Sequence, residues 1–443
     1  MYVETPPDYR EIMAALDSDE FMRLIDFDVP DGGEQYLHWD KLRHLTPPQG
    51  LDHKQWWFVL KMGRSPQNRP LPLEDAQGRS FTYAIPDLVL EGIHKVDQRC
   101  SGQIAMPDVV TSDSQAQQHY LVNSLMEEAI RSSQLEGATT SRRAGKDLLR
   151  TGRSPRDRSE RMILNNYRAL QFMREQMGED LTPELVLELH RIVTDETLDN
   201  PDSAGRLQRP DEDRVAVYDR DDLTVLHEPP PAEQLGSRLE AMCEFANGAS
   251  PHSFVHPVLR AILLHFWLAY DHPFEDGNGR TARTLFYWCM RRNGYWLTEY
   301  LTISTILRRA PGKYSRAFLL TETDARDTTY FILYQLEVIL RAVADMTGYL
   351  QRKVAEVRDV ESLLRGSTDF NHRQLSLLGA AVRDPGNGYT LLSHAASHGV
   401  THETARKDLG QLVDLGLLER RRDGKRFTFL PSAEIVEKLR RLD

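Results

Sequence analysis

The sequence predicts a mainly α-helical protein with one β-hairpin in its middle and a helix–turn–helix–hairpin module at its C-terminus. Apolar residues recur at helical spacing over most of residues 114–349. One short β-favouring segment interrupts them at Arg214–His227, and a pattern punctuated by glycines fills residues 366–443.

Residues 1–112 are expected to form an N-terminal lobe. Pro47, Pro48, Pro66, Pro70, Pro72 and Gly78 cut it into short elements, and Tyr36–Leu45 and Trp56–Lys61 supply its apolar surface. A helix is predicted over Asp87–Gln98. The second expected domain, residues 113–355, is helical. Leu121, Leu125, Met126, Ala129 and Ile130 form a stripe on a helix ending at Leu135. Glu160–Met177, Pro183–Asp195, Ala232–Ala246, Val258–Tyr270, Arg280–Arg292 and Thr328–Arg352 show the same spacing. The exception is Val215–Tyr218 and Leu223–Leu226, which flank Asp219–Asp222 as a hairpin would. Pro229–Pro231 ends that segment and starts the next helix.

After a linker at Gly366–Asp369, residues 366–443 read as a third domain. Helices are predicted over Thr390–Ala396 and Thr401–Leu415, with a turn at His398-Gly399 and Thr401 as N-cap. Leu417–Arg422 and Lys425–Leu430, joined at Asp423-Gly424, then read as a hairpin. Two helices, a turn and a hairpin make a winged helix-turn-helix pattern.

The net charge of −11 argues against a general binder of nucleic acid or anionic membrane. Residues 370–443 differ, with 12 Lys/Arg against 9 Asp/Glu, or +3. Arg406, Lys407, Arg420–Arg422, Lys425 and Arg426 concentrate there, a distribution suited to phosphate contacts as well as to protein binding. Cys100, Cys243 and Cys289 are widely spaced with no Cys-x-x-Cys pair, which fits a reducing cytoplasm and disfavours a disulfide framework. The first residues show neither a basic n-region nor an apolar h-region, and no segment has the roughly 20 apolar residues of a membrane span.

The chemistry is concentrated in His272–Arg283. Gly277-Asn278-Gly279 lets backbone N–H groups converge without Cβ obstruction, and the helix expected from Arg280 adds partial positive charge. Together they suit an anion such as phosphate. Arg280 and Arg283, spaced i, i+3, can hold outer phosphates. Asp276 beside phosphates calls for a cation, and Mg²⁺ is the expected one. His272 can take a proton from an incoming hydroxyl, and Phe274 alternates with it so as to point into the core. Each feature alone has an ordinary structural explanation; their clustering within twelve residues does not.

This run resembles the signature of the Fic family, His-x-Phe-x-Asp/Glu-Gly-Asn-Gly-Arg-x-x-Arg, at every fixed position. The resemblance implies a helical Fic core and transfer of AMP from ATP to a Ser, Thr or Tyr hydroxyl of a target protein, the chain itself included. It implies that His272 is the general base, Asp276 the Mg²⁺ ligand, Gly277, Asn278 and Gly279 the anion hole, and Arg280 and Arg283 the β- and γ-phosphate contacts. Relatives that phosphorylate carry Lys where this chain has Gly279, so glycine favours adenylylation.

Ser132-Ser-Gln-Leu-Glu136-Gly137 looks like the Fic inhibitory motif, Ser/Thr-x-x-x-Glu-Gly/Asn. Gly137 is an ordinary glycine beyond a helix C-terminus, where an acid such as Glu136 is mildly disfavoured without a cationic partner. The resemblance implies that Glu136 pairs with Arg283 where the γ-phosphate should go, with Ser132 steadying the loop. It also leaves room for Glu136 to support removal of AMP. The Arg214–His227 hairpin resembles the family flap, which aligns the target by strand addition. Tyr314 falls in a stretch resembling the adenine-pocket wall, though core is its simpler role. Two alternatives stay open: removal of AMP from a modified protein, and a nucleotide-sensing, DNA-binding transcription regulator. A homodimer is also left open.

Overall fold

The computed structural model describes residues 2–27, 36–101, 114–218, 224–366, 369–383, 388–423 and 426–441. The chain divides into two compact units, Met1–Ile104 with Asn123–Val343, and Ala105–Val122 with Ala344–Asp443. The first division expected from the sequence differs. Residues before 102 are not a lobe apart but share a unit with the helical core.

The centre of the first unit is the helix Pro257–Asp271, in which every residue from Val258 to Leu268 is buried. A helix apolar on all sides must be enclosed by others. Asn278–Arg292 packs along it, and Pro183–Thr194, Arg158–Glu175 and Leu235–Asn247 surround the pair. Phe81 reaches the same helix from the N-terminal segment, meeting Phe266 and Tyr270 at ring-centroid distances of 5.5 and 4.8 Å. It sits on a hairpin, Arg69–Glu74 with Ser80–Tyr83, that the sequence pattern does not announce. Thr82 pairs in parallel with Asp327, and the Thr329 hydroxyl oxygen accepts from the Ala84 N–H at 2.9 Å. The buried pair Lys61–Asp324, 2.9 Å apart, closes the same seam.

Most predicted helices are present with ends shifted by a residue or two. Asp87–Cys100 replaces Asp87–Gln98, and Ala232–Gln234 is a 3₁₀ turn ahead of Leu235–Asn247. Two departures are larger. The helix that begins at Thr329 runs to Gly366, well past Arg352, and Ser114–Leu135 starts before Leu121. The middle hairpin is short: Val217↔His227 and Tyr218↔Val225 pair antiparallel, while residues 219–223 of that prediction lie outside the described residues.

In the second unit, three helices precede a hairpin. They are His372–Arg383, absent from the sequence expectation although Asn371 caps it by accepting from the Arg373 and Gln374 N–H groups, Leu391–His398 and His402–Asp414. Thr401 caps the last by accepting from the Thr404 N–H, and Gly399 takes the left-handed conformation that the tight turn needs, φ 61°. Leu377, Leu378, Leu409, Leu412, Leu417 and Phe429 form the core. The hairpin Leu418–Asp423 with Arg426–Pro431 pairs in register down to Asp423↔Arg426. Asp423 of the predicted turn is thus a strand residue, and residues 424 and 425 lie outside the described set. Tyr389 adds an antiparallel bridge to Phe429. Among the described residues no helix is long and apolar enough to cross a membrane.

Candidate active site

The site lies where the central helix ends and its neighbour begins. Pro257–Asp271 stops at His272, whose backbone is left-handed at φ 44°, ψ 54°. A non-glycine residue adopts that conformation only when its surroundings hold it. Here Arg214 does so: its guanidinium donates to the carbonyl oxygens of Asp271 at 2.8 Å and His272 at 3.1 Å, and also to Pro230 and Gln208. The first residue of the middle hairpin segment thereby anchors the His272 corner, a link that no local sequence signal carries.

The segment from His272 to Asn278 is closed by two side chains. Asn278 Oδ1 accepts from the Phe274 N–H at 3.0 Å, and its Nδ2 donates to the Phe274 carbonyl at 2.8 Å. One amide thus imitates a strand partner. His190 clamps from outside, stacked on Phe274 at 3.7 Å and 6°. Its Nδ1 accepts from the Gly205 N–H at 3.0 Å, so the proton resides on Nε2, which donates to the Asp276 carbonyl at 2.9 Å. Burial pushes the His190 imidazole down to about 4, so it stays neutral. Nothing in the local sequence marks His190, since its partners are 15 and 86 residues away.

The following helix starts at Asn278, not at Arg280 as expected, with Gly277 as its left-handed cap at φ 84°. A Cβ at Gly277 would approach Thr194 Cγ2 to 2.8 Å, so the turn is glycine-dependent on two grounds. Asn278 and Gly279 therefore belong to the first helical turn. The Asn278 side chain is committed to Phe274, which leaves backbone amides, with the helix dipole behind them, to face an anion.

The two arginines diverge, although both are almost fully buried. Arg280 donates to the Val193 carbonyl at 3.0 Å and to Asp276 Oδ2 at 3.3 Å. Arg283 turns to the helix Ser114–Leu135. It donates from Nε to Ser132 Oγ at 2.9 Å and from Nη2 to the Ser132 carbonyl at 3.2 Å and Glu136 Oε1 at 2.7 Å. Ser132 therefore holds Arg283 directly. Glu136 and Gly137 follow the last turn of that helix, and Gly137 is left-handed at φ 99°. The Glu136 carboxylate occupies the space above Gly279: a Cβ there would collide with Oε1 and lie 2.9 Å from Arg283 Nη1.

His272 is packed beneath the flap. Burial first of all, then the positive charges of His227 and Arg214, push its imidazole down to about 4. At neutral pH it is unprotonated and able to accept a proton. Asp276 is partly exposed; one oxygen accepts from the Gly277 N–H, the other from Arg280. Among the described residues no three His, Cys, Asp or Glu side chains gather as a metal cluster. Three buried atoms of the segment, His272 Nδ1, Arg280 Nε and Arg283 Nη1, have no hydrogen-bond partner. Buried donors left unpaired are costly and point to a ligand that completes them. Tyr314 is core: its hydroxyl meets His265 Nε2 at 2.8 Å beside Arg283, and burial pushes it up to about 12.

Comparison with known proteins converges on this segment. Residues 180–290 match the Fic/DOC family. That stretch is similar to a Fic domain. A protein adenylyltransferase Fic from Nematostella vectensis is 35% identical over 120 residues, which are 27% of this chain and 25% of that one. The protein adenylyltransferase fic-1 of Caenorhabditis elegans is 29% identical over 148 residues, 32% of this chain and 26% of the relative. The chain thus spans about a quarter of the length of the curated relatives it matches. A Fic family protein from Desulfovibrio desulfuricans shares the fold with a TM-score of 0.52 at 17% identity, over 79% of this chain and 98% of that one. The family match ends at residue 290 and begins at 180, so it includes the whole His272–Arg283 segment and the flap of the Fic domain, but not Glu136.

Proposed function

We propose that this chain transfers AMP from ATP to a hydroxyl side chain of a protein, and that Glu136 restrains the reaction. The observation that carries the reading is the pairing of a neutral, half-buried His272 with the N-terminal turn of Asn278–Arg292. A nucleotide sensor would need the anion site but no base. In the proposed reaction the target's hydroxyl oxygen attacks the α-phosphorus, its proton passes to His272, and the bond to the bridging oxygen breaks to release pyrophosphate. Backbone amides of Asn278 and Gly279, with Gly277 N–H held by Asp276, and the unpartnered Arg280 Nε and Arg283 Nη1 favour the phosphate oxygens. Asp276 would hold Mg²⁺ with phosphate oxygens and water completing its shell, and the ion would offset phosphate charge. The flap edge at Val217–Tyr218 would align the target segment.

The restraint is geometric. Glu136 sits on Arg283 and over Gly279, where an outer phosphate would have to lie. ATP can then enter only in a pose that misaligns its α-phosphate. The C-terminal module is proposed as a winged helix. Arg406, Lys407 and Arg420–Arg422 are exposed on its last core helix and first hairpin strand, which favours contacts to DNA phosphates as a second function.

The test uses ATP labelled at the α- or the γ-phosphate, with a lysate and the Glu136→Gly chain. Protein-bound α-label that disappears with His272→Ala is the expected result. Transfer of γ-label would mean phosphorylation instead, and no transfer of either would overturn the reading.

A further inference from the structure

The helix Ser114–Leu135 carries a second acid, Glu128, that the reaction does not use. It is 2% exposed, as deeply buried as the helix's apolar stripe. An ionisable group persists at such a place only with strong partners. Its carboxylate accepts from the Ser304 hydroxyl at 2.5 Å and from the Ser304 N–H at 3.2 Å. Tyr287, also beside it, accepts from the Ile303 N–H at 3.0 Å. Ser304 lies in the first turn of Ile303–Arg309, whose own N-cap, Thr302, makes no side-chain cap bond. Glu128 therefore supplies from across the fold what that turn lacks.

Glu128 lies eight residues before Glu136, about 12 Å along the helix axis. Leu125, Met126, Ala129, Ile130 and Leu135 give the helix an apolar face, and Ser132 also accepts from Arg283 at the end that carries Glu136. Apolar packing tolerates small slides and rotations; a carboxylate seated on two donors of one residue does not. Further polar ties, Asn166 to the Ala129 carbonyl at 3.2 Å and Ser133 to the Met162 carbonyl at 3.2 Å, attach to helix Arg158–Glu175, on another element than Ser304.

We propose that Glu128 is a positioning residue that fixes the register of the restraining helix on the core, so that Glu136 reaches Arg283. The inference rests on the autoinhibition proposed above and names the part of the chain that enforces it. Loss of the Glu128–Ser304 contacts frees the helix to shift, Glu136 leaves Arg283 part of the time, and the site opens with His272 unchanged; Glu128 also faces Arg283 electrostatically, so Ser304→Ala is the variant that leaves that acid in place.

The experiment measures α-label transfer by the full-length chain carrying Glu128→Gln, Glu136→Gly or both, with Ser304→Ala as a milder variant acting from the other side. Loss of one ordinary hydrogen bond's worth of seating predicts a rise in basal transfer on the order of 3- to 10-fold for Glu128→Gln. Ser304→Ala should act in the same direction. Neither should raise transfer further on the Glu136→Gly background, because the latch acts only through Glu136. Equal effects in both backgrounds would make Glu128 a merely structural residue and overturn the proposal. So would Glu136→Gly activating while both latch variants leave transfer unchanged or lower. If Glu136→Gly itself fails to activate, the underlying restraint is wrong instead. Melting curves on each variant show whether the chain stays folded, and Ser304→Ala decides the matter if Glu128→Gln does not fold.

Discussion

Replacing Glu136 with glycine tests how much of the site's silence one ion pair enforces. The carboxylate donates nothing to catalysis as proposed; it holds Arg283 at 2.7 Å, and its own side chain is 27% exposed. A hydrogen bond to a charged group contributes about 1.5–3 kcal/mol. Partial exposure lets water screen the pair, so the lower half of that range applies. About 1.5–2 kcal/mol corresponds to roughly 10- to 30-fold in an equilibrium between closed and open sites. The expected outcome is a rise of that size in initial transfer rate at ATP concentrations below saturation. It is read as α-label incorporated per minute across an ATP series. The gain should shrink as ATP rises, since the nucleotide itself then displaces the acid. Stability should move the opposite way. Arg283 is 1% exposed, and it would lose its one ion-paired acceptor while keeping the Ser132 oxygens. The unliganded variant should therefore melt lower than the parent, and added ATP should recover more of the loss than it adds to the parent. A folded Glu136→Gly chain whose transfer rate stays within about two-fold of the parent would refute the reasoning, since that corresponds to less than about 0.5 kcal/mol.

The pH dependence follows from His272, which burial and its cationic neighbours hold near 4. The base is the neutral form, so transfer should rise through about pH 4 to 5 and be flat by pH 6; an acidic limb centred near 6.5 in the pH–rate profile would contradict a buried base. Asn278→Ala removes both contacts to the Phe274 backbone and strands a buried N–H and C=O, at a cost of about 2–4 kcal/mol in denaturant unfolding with transfer strongly reduced; a variant as stable and active as the parent would show that the loop closes without it. Changing Arg420, Arg421 and Arg422 together to Gln should weaken salt-dependent retention of the full chain on duplex DNA and flatten its salt slope by about one per lost phosphate contact; a parent chain not retained even at low salt would remove the DNA proposal.

The local chemistry is legible because its members are close in sequence. His272, Asp276, Gly277, Gly279, Arg283, Ser132 and Glu136 stand in two short runs, and the structure brings both runs together at Arg283. Arg280 reads as a free phosphate contact, whereas its Nη atoms are held by Val193 and Asp276. The spacing i, i+3 gives the face from which a side chain leaves, not the acceptor it meets. The helix begins two residues earlier than its pattern suggests because Asn278 reads as a turn residue; its amide instead pairs with Phe274 four residues back. Contacts such as Gly205–His190, Arg214–His272 and Glu128–Ser304 join residues 15, 58 and 176 positions apart, which periodicity cannot reach. The N-terminal hairpin is obscured by Pro70 and Pro72, which look like breakers but are tolerated on an edge strand.

Gly279 gives the restraint its economy of space. The room for one methyl group above its Cα is what the Glu136 carboxylate occupies in the closed chain. The same room must be vacated before an outer phosphate can settle. Any larger residue at 279 would therefore press on brake and substrate alike: it could evict the acid while narrowing the very seat that eviction was meant to open. Inhibition here is a matter of shared volume at a single backbone position as much as of charge. A chain that loses its restraint can do so without obstruction only from the side of the acid or of the helix that carries it.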